Sequence, residues 1–191
     1  MPATPHALSL DDAAAVLHGG GVIAYPTEAV WGLGCDPFNA NAVQRLLALK
    51  QRPATKGMIV IAATVEQVLP HLHWDALPAA RREEVIASWP GPVTWLLPCR
   101  PDVPDWLRGE HDTLAVRITA HPVAAALCRV FDGAIVSTSA NRAGEPPARR
   151  FGELSDPLLA GLAGHVAGET GDLAKPTVIR DARSGEIVRA G

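Results

Sequence analysis

Lysine is scarce in this chain of 191 residues: Lys50, Lys56 and Lys175 are the only three, so fourteen of the seventeen basic residues are arginines. Seventeen Lys and Arg against twenty Asp and Glu leave a net charge of −3. That balance argues against a general nucleic-acid coat, though not against a local basic patch. Long apolar runs are missing too. The longest, such as Met58 to Ala63, fall far short of the ~20 residues a membrane-spanning helix needs. The N-terminal Met-Pro-Ala-Thr-Pro-His has neither a positive n-region nor an apolar h-region, so no secretion signal is expected. Cysteine is limited to Cys35, Cys99 and Cys128, an odd number, widely spaced and without C-x-x-C. This argues against a disulfide framework or zinc ribbon and makes a reduced cytoplasm the expected compartment.

What is present is a globular composition: 48% hydrophobic residues, 19% charged residues and a mean hydropathy of +0.11. Disorder is excluded on that basis. The length suits one domain, expected to span 1–191, that buries roughly 70% of its unfolded surface. Ser9 followed by Asp12 predicts a capping box opening a helix from Asp11 to His18, ended by Gly19-Gly20-Gly21. Val22 to Tyr25 reads as a strand, Thr27 to Asn39 as a loop, and Asn41 to Lys50 as a helix. Further strands are expected at Met58–Ala62, Val93–Leu97, Leu114–Ile118 and Ala134–Val136. Helices are expected at Glu66–Leu72, Pro78–Trp89, His121–Phe131 and around Leu158–Leu162, and two short strands near Thr177–Ile179 and Glu186–Val188. Strands alternating with helices imply an α/β layer fold, and the closing strands without helices between them imply a mixed sheet.

Four segments could carry chemistry. Lys50-Gln51-Arg52 with Lys56 places three cations in seven residues at a helix end. They either complement the helix dipole or converge on an anion such as a triphosphate. Ser137-Thr138-Ser139-Ala140-Asn141 follows an apolar strand directly, where open α/β sheets bind ligands; an ordinary polar turn is the alternative. No G-x-S-x-G elbow supports a serine hydrolase. On the strand Leu114 to Ile118, Arg117 shares a face with Thr113 and Ala115. An arginine on a half-buried strand needs an anion, from an internal carboxylate or from a ligand. Tyr25 to Gly34 is punctuated by glycine but matches neither a dinucleotide fingerprint nor a Walker loop. His71 and His73 lack a third metal ligand, and Arg149-Arg150 reads equally as a phosphate contact or a solvated pair.

Taken together, Tyr25-Pro26-Thr27-Glu28-Ala29-Val30-Trp31-Gly32-Leu33-Gly34, Lys50-Gln51-Arg52, Trp89 to Thr94, Leu114 to Arg117 and Ser137 to Asn141 resemble the YrdC-like family, in the family's order, from Gly20 to Gly191. The likeness is to its single-domain bacterial threonylcarbamoyl-AMP synthase branch. It implies a twisted mixed α/β sheet with a basic concave face. It also implies a reaction: L-threonine, bicarbonate or CO2, and ATP give threonylcarbamoyl-adenylate and pyrophosphate. The group then reaches adenosine 37 of ANN-decoding tRNAs through TsaB, TsaD and TsaE, with weak tRNA binding and Mg2+ accompanying ATP. By the same resemblance, Lys50 and Arg52 hold phosphates and Ser139 and Asn141 contact nucleotide and threonylcarbamoyl groups, with Ser137 nearby. Arg117 meets the threonine carboxylate, Thr113 and Thr177 meet the nucleotide, and Thr27 lies in the substrate loop. The chain departs from many relatives at Ala29, Trp31, Lys56 and Ile61. An RNA-binding module without chemistry and the carbamoyl-adenylating module of hydrogenase maturation are the competing readings.

Overall fold

Ser9 opens the first helix as expected: its Oγ accepts the Asp12 amide at 3.1 Å and donates to the Asp12 carboxylate at 2.6 Å. The computed structural model describes residues 5–190. Met1 to Thr4 and Gly191, which belong to the N-terminal stretch read for a signal and to the end of the expected domain, lie outside the described residues. The helices are α1 Leu10–His18, α2 Ala40–Lys50, α3 Ala79–Ala87, α4 Asp105–Arg108, α5 Pro122–Phe131 and α6 Asp156–Leu159. The strands are β1 Ala7–Leu8, β2 Ile23–Pro26, β3 Trp31–Gly34, β4 Ile59–Ala62, β5 Val93–Pro98, β6 Thr113–Ile118, β7 Ile135–Ser139, β8 Gly164–Val166, β9 Val178–Asp181 and β10 Ile187–Arg189. They form one mixed sheet in the order β1-β8-β2-β3-β7-β4-β6-β5-β9-β10. No described helix is long and apolar enough to cross a membrane.

Three expectations are corrected. The loop Thr27–Asn39 contains β3, so Ile23 to Gly34 is a hairpin whose strands pair Ile23 with Gly34 and Pro26 with Trp31. Its glycines hide the strand pattern but serve packing. The Tyr25 ring crosses Gly34, where a Cβ would come within 2.6 Å of Tyr25 Cε1 and 2.8 Å of the Val136 carbonyl. The segment Glu66–Leu72 is not a helix but two 3-10 turns, because Pro70 interrupts it. The strands β1 and β8 escaped the sequence reading, being only two and three residues long.

The two faces of the sheet are covered differently. Leu114, Val116 and Ile118 of β6, Val60 of β4 and Val136 of β7 join the larger core with α2. On the opposite face α1 and α5 pack together and cover Tyr25, Ile61 and Ile135. That helical cover stops short. Along the same face, Arg117 stands beside Ile61, while Ala115 and Ser137 flank Ile59. Ala115, Arg117, Ser137 and Ile59 there line a cavity instead of packing under a helix. The strand alternation thus carries the polar residues directly onto the uncovered half.

Candidate functional site

The cavity holds about 430 Å3 and runs across β3, β7, β4, β6, β5 and β9. Of the residues expected from the sequence, Thr27, Arg52, Thr113, Arg117, Ser137, Ser139, Asn141 and Thr177 line it. Five Lys and Arg side chains do so, Arg52, Lys56, Arg108, Arg117 and Arg189, together with His111. Among the described residues no Asp or Glu lines the wall. An anion entering it meets cations and hydroxyls without a competing carboxylate on the surface.

Lys50 does not line the cavity. It closes α2, is 5% exposed, and donates to the main-chain carbonyls of Ser139 and, at 2.7 Å, Asn141. The Ala143 amide returns to the Lys50 carbonyl at 3.1 Å, so the helix end and the loop after β7 brace one another. Burial and then the neighbouring Arg52 pull the Lys50 ammonium down to about 8. Its sequence position at a helix end gives no sign of this: it is a buried tie beneath the Ser139–Asn141 loop.

Arg52 lies two residues beyond, past the helix end, and its Nη2 donates to the Gly57 carbonyl at 2.8 Å while its Nε has no partner. Burial, then the adjacent Arg189, lowers its pKa. Arg189 closes β10 and reaches the Thr177 carbonyl at 3.2 Å; its pKa is lowered by burial and then by Arg117. The three guanidinium groups therefore lie within one electrostatic field. Arg189 escaped the sequence reading: it follows the expected strand Glu186–Val188, and no alternation there marks a half-buried face.

Arg117 is 4% exposed and loosely held. Its Nη1 meets the Thr94 and Thr177 hydroxyls at 3.3 Å each, and its Nη2 faces Glu28 Oε2 at 3.3 Å. Arg117 Nε and Glu28 Oε2 have no hydrogen-bond partner. The internal carboxylate considered as one partner for Arg117 is thus present, and the guanidinium still faces the cavity. Burial pushes the Glu28 carboxyl up, but Arg117, the Thr119 hydroxyl and its own backbone together hold it below the usual carboxylate range.

The remaining polar groups have defined roles as donors or acceptors. Thr27 Oγ1 donates to the Val30 carbonyl at 2.7 Å, leaving its lone pairs for a ligand donor. Asn141 Nδ2 is spent on the Glu145 carbonyl at 2.7 Å, while its buried Oδ1 has no partner among the described residues and is an open acceptor. Of the four departures from the family pattern, Ala29 and Lys56 line the cavity, whereas Trp31 and Ile61 are core residues away from it. Arg149 and Arg150 are both exposed, and Arg149 donates to the carbonyls of Leu173 and Ala174 at 3.0 and 3.1 Å.

Comparison with known proteins identifies the family. The sequence matches the Sua5/YciO/YrdC family profile, described as "Telomere recombination", over residues 15–191. A protein of Xanthomonas euvesicatoria named threonylcarbamoyl-AMP synthase is 60% identical over 182 residues, 95% of this chain and 97% of the relative. One of the same name from Stenotrophomonas maltophilia is 58% identical, covering 96% of this chain and 98% of the relative. Among solved structures, P. abyssi Sua5 complexed with L-threonine superposes with a TM-score of 0.83 at 30% identity; the match covers 90% of this chain and 50% of that one. The chain belongs to the Sua5/YciO/YrdC family.

Proposed function

We propose that this chain is a threonylcarbamoyl-AMP synthase, built as one YrdC-like unit over 1–191 and working in the cytoplasm. It condenses L-threonine, bicarbonate or CO2, and ATP into threonylcarbamoyl-adenylate and pyrophosphate. The adenylate serves N6-threonylcarbamoyladenosine formation at position 37 of ANN-decoding tRNAs, handed on through TsaB, TsaD and TsaE with weak tRNA contact. The observation that carries the reading is the cavity wall itself, with five Lys and Arg side chains, several hydroxyls and no carboxylate among the described residues. Such a wall suits a polyphosphate and an amino-acid carboxylate together.

The chemistry follows from positioning. The threonine amine adds to CO2 and loses a proton, giving a carbamate. A carbamate oxygen then forms a bond to the α-phosphorus as the bond from that phosphorus to the β-phosphate bridge breaks, and pyrophosphate leaves with the electron pair. Negative charge grows on the phosphoryl oxygens and the leaving group. Arg52 and Arg189, each tied to a backbone carbonyl, stabilise it together with the exposed Lys56. Arg117 takes the threonine carboxylate; Thr27, Ser137, Ser139, Asn141, Thr113 and Thr177 orient the two substrates, holding the carbamate against the α-phosphorus. Lys50 acts on this site through the Ser139 and Asn141 carbonyls. Among the described residues no group of three or more His, Cys, Asp and Glu side chains could hold a metal. Mg2+ would accompany ATP as the substrate's counter-cation and help to neutralise the phosphate charge.

Pyrophosphate release with ATP, assayed with threonine and bicarbonate together and with each left out, tests the reading. Release is expected only with the full set. Release indifferent to threonine ends the synthase assignment, and tight RNA binding without ATP turnover favours the RNA-binding module.

A further inference from the structure

Glu28 lies behind the cavity wall, not on it. Its Oε1 accepts the Thr119 hydroxyl at 2.6 Å and its Oε2 faces Arg117 Nη2 at 3.3 Å. Both charged side chains are nearly fully buried, with 8% of Glu28 and 5% of Arg117 exposed. A buried ion pair that serves only stability needs close geometry and satisfied hydrogen bonds to offset desolvation. This pair meets them only in part: Thr119 serves Oε1 and two threonine hydroxyls meet Nη1, but the ion contact is 3.3 Å long and Glu28 Oε2 and Arg117 Nε have no hydrogen-bond partner. What Glu28 does supply is charge: held ionised, it cancels Arg117.

That cancellation matters because of the other guanidinium groups. Arg117 acts electrostatically on Arg189, and Arg189 on Arg52. With Arg117 uncompensated, the cavity would be one continuous well for anions. Coulomb attraction scales with ligand charge, so a phosphate with two charges would gain more at Arg117 than a single carboxylate would. Neutralising the site removes that advantage and leaves the shape of Arg117, whose flat fork suits a carboxylate.

We infer that Glu28 is a specificity-determining residue that divides the cavity electrostatically, reserving Arg117 for the amino-acid carboxylate and confining phosphates to the Arg52–Arg189 end. This rests on the reading of Arg117 given above. Glu28 touches no substrate and acts only through Arg117.

Calorimetric titration of L-threonine, with and without excess inorganic phosphate, tests the inference on the wild type, Glu28→Gln, Glu28→Asp and Arg117→Lys. In the wild type phosphate is expected to leave threonine affinity within about twofold, because the two ligands occupy different ends. In Glu28→Gln phosphate should invade the Arg117 site and weaken threonine on the order of tenfold. Glu28→Asp keeps the charge and should behave as the wild type, which a merely structural role for Glu28 would not produce. Displacement of threonine by phosphate in the wild type overturns the proposal, even if Glu28→Gln does not fold. A phosphate-insensitive Glu28→Gln overturns it as well, while weaker threonine binding by Arg117→Lys leaves the carboxylate reading standing. Unchanged threonine affinity in Arg117→Lys takes down both.

Discussion

The Lys50 ammonium donates to the Asn141 main-chain carbonyl at 2.7 Å. One of the two signature segments therefore serves as the scaffold of the other. Replacing Lys50 by Met keeps the apolar stem but strands the Asn141 carbonyl and leaves the Ser139 carbonyl only the Asn141 amide at 3.0 Å. Unsatisfied buried groups cost about 1–3 kcal/mol each, so Lys50→Met should melt early in chemical denaturation and also lose turnover per folded molecule. Full stability with lost activity would instead place the ammonium on the phosphates alone.

The same contact predicts a pH dependence. Burial, then Arg52, holds the folded Lys50 at about 8, below an unfolded lysine at about 10.4. The depressed value means that burying the charged form costs stability below pH 8, a cost relieved as pH rises toward the unfolded value. Activity runs the opposite way, because a neutral amine braces the loop carbonyls less well. The kcat/KM profile, which reports the free enzyme, should fall above pH about 8. That limb should vanish in Lys50→Met, measured on its residual activity.

Arg117→Lys keeps the charge but loses the planar fork. A hydrogen bond to a charged group is worth ~1.5–3 kcal/mol, so the threonine KM should rise roughly ten- to a hundredfold. The ATP KM should move little. Equal rises in both would put Arg117 on the phosphates.

Removing the buried partner has a separate signature in stability. Glu28→Ala leaves Arg117 inside the fold without its counter-charge, at a cost of about 3–5 kcal/mol. Glu28 has a lowered folded pKa. Its contribution should therefore be complete above the unfolded glutamate value of about 4.3 and be lost as pH falls through the folded value. Denaturant melts of wild type and Glu28→Ala should converge in acid. A constant gap between them down to low pH would show that Glu28 acts by packing alone.

Arg189 stands on an edge strand whose Ile187 and Val188 are 64% and 58% exposed, so little core depends on it. Arg189→Met should raise the ATP KM roughly tenfold, the loss of one charge-assisted contact, with the melting midpoint nearly unchanged. Unaltered ATP kinetics would remove Arg189 from the phosphate end.

Much of this protein was legible in its residues. The alternation Thr113-Ala115-Arg117 against Leu114-Val116-Ile118 placed Arg117 on the opposite strand face from the core, and there it lies. The Ser9 cap, the α2 register and the polar run after β7 are local features, set by spacing within a few residues, and the sequence alone determined them. What it could not determine depends on approach between distant segments. Nothing near Lys50 reveals that its ammonium meets carbonyls of residues 139 and 141, because that contact exists only once β7 pairs with β3 and β4. Nothing near Arg189 shows that β10 carries it beside Arg52, and the glycines of the hairpin hid β3 until Tyr25 lay across Gly34. The tertiary structure alone decided which cations face the cavity, because charge convergence is a property of folded distance and not of sequence spacing.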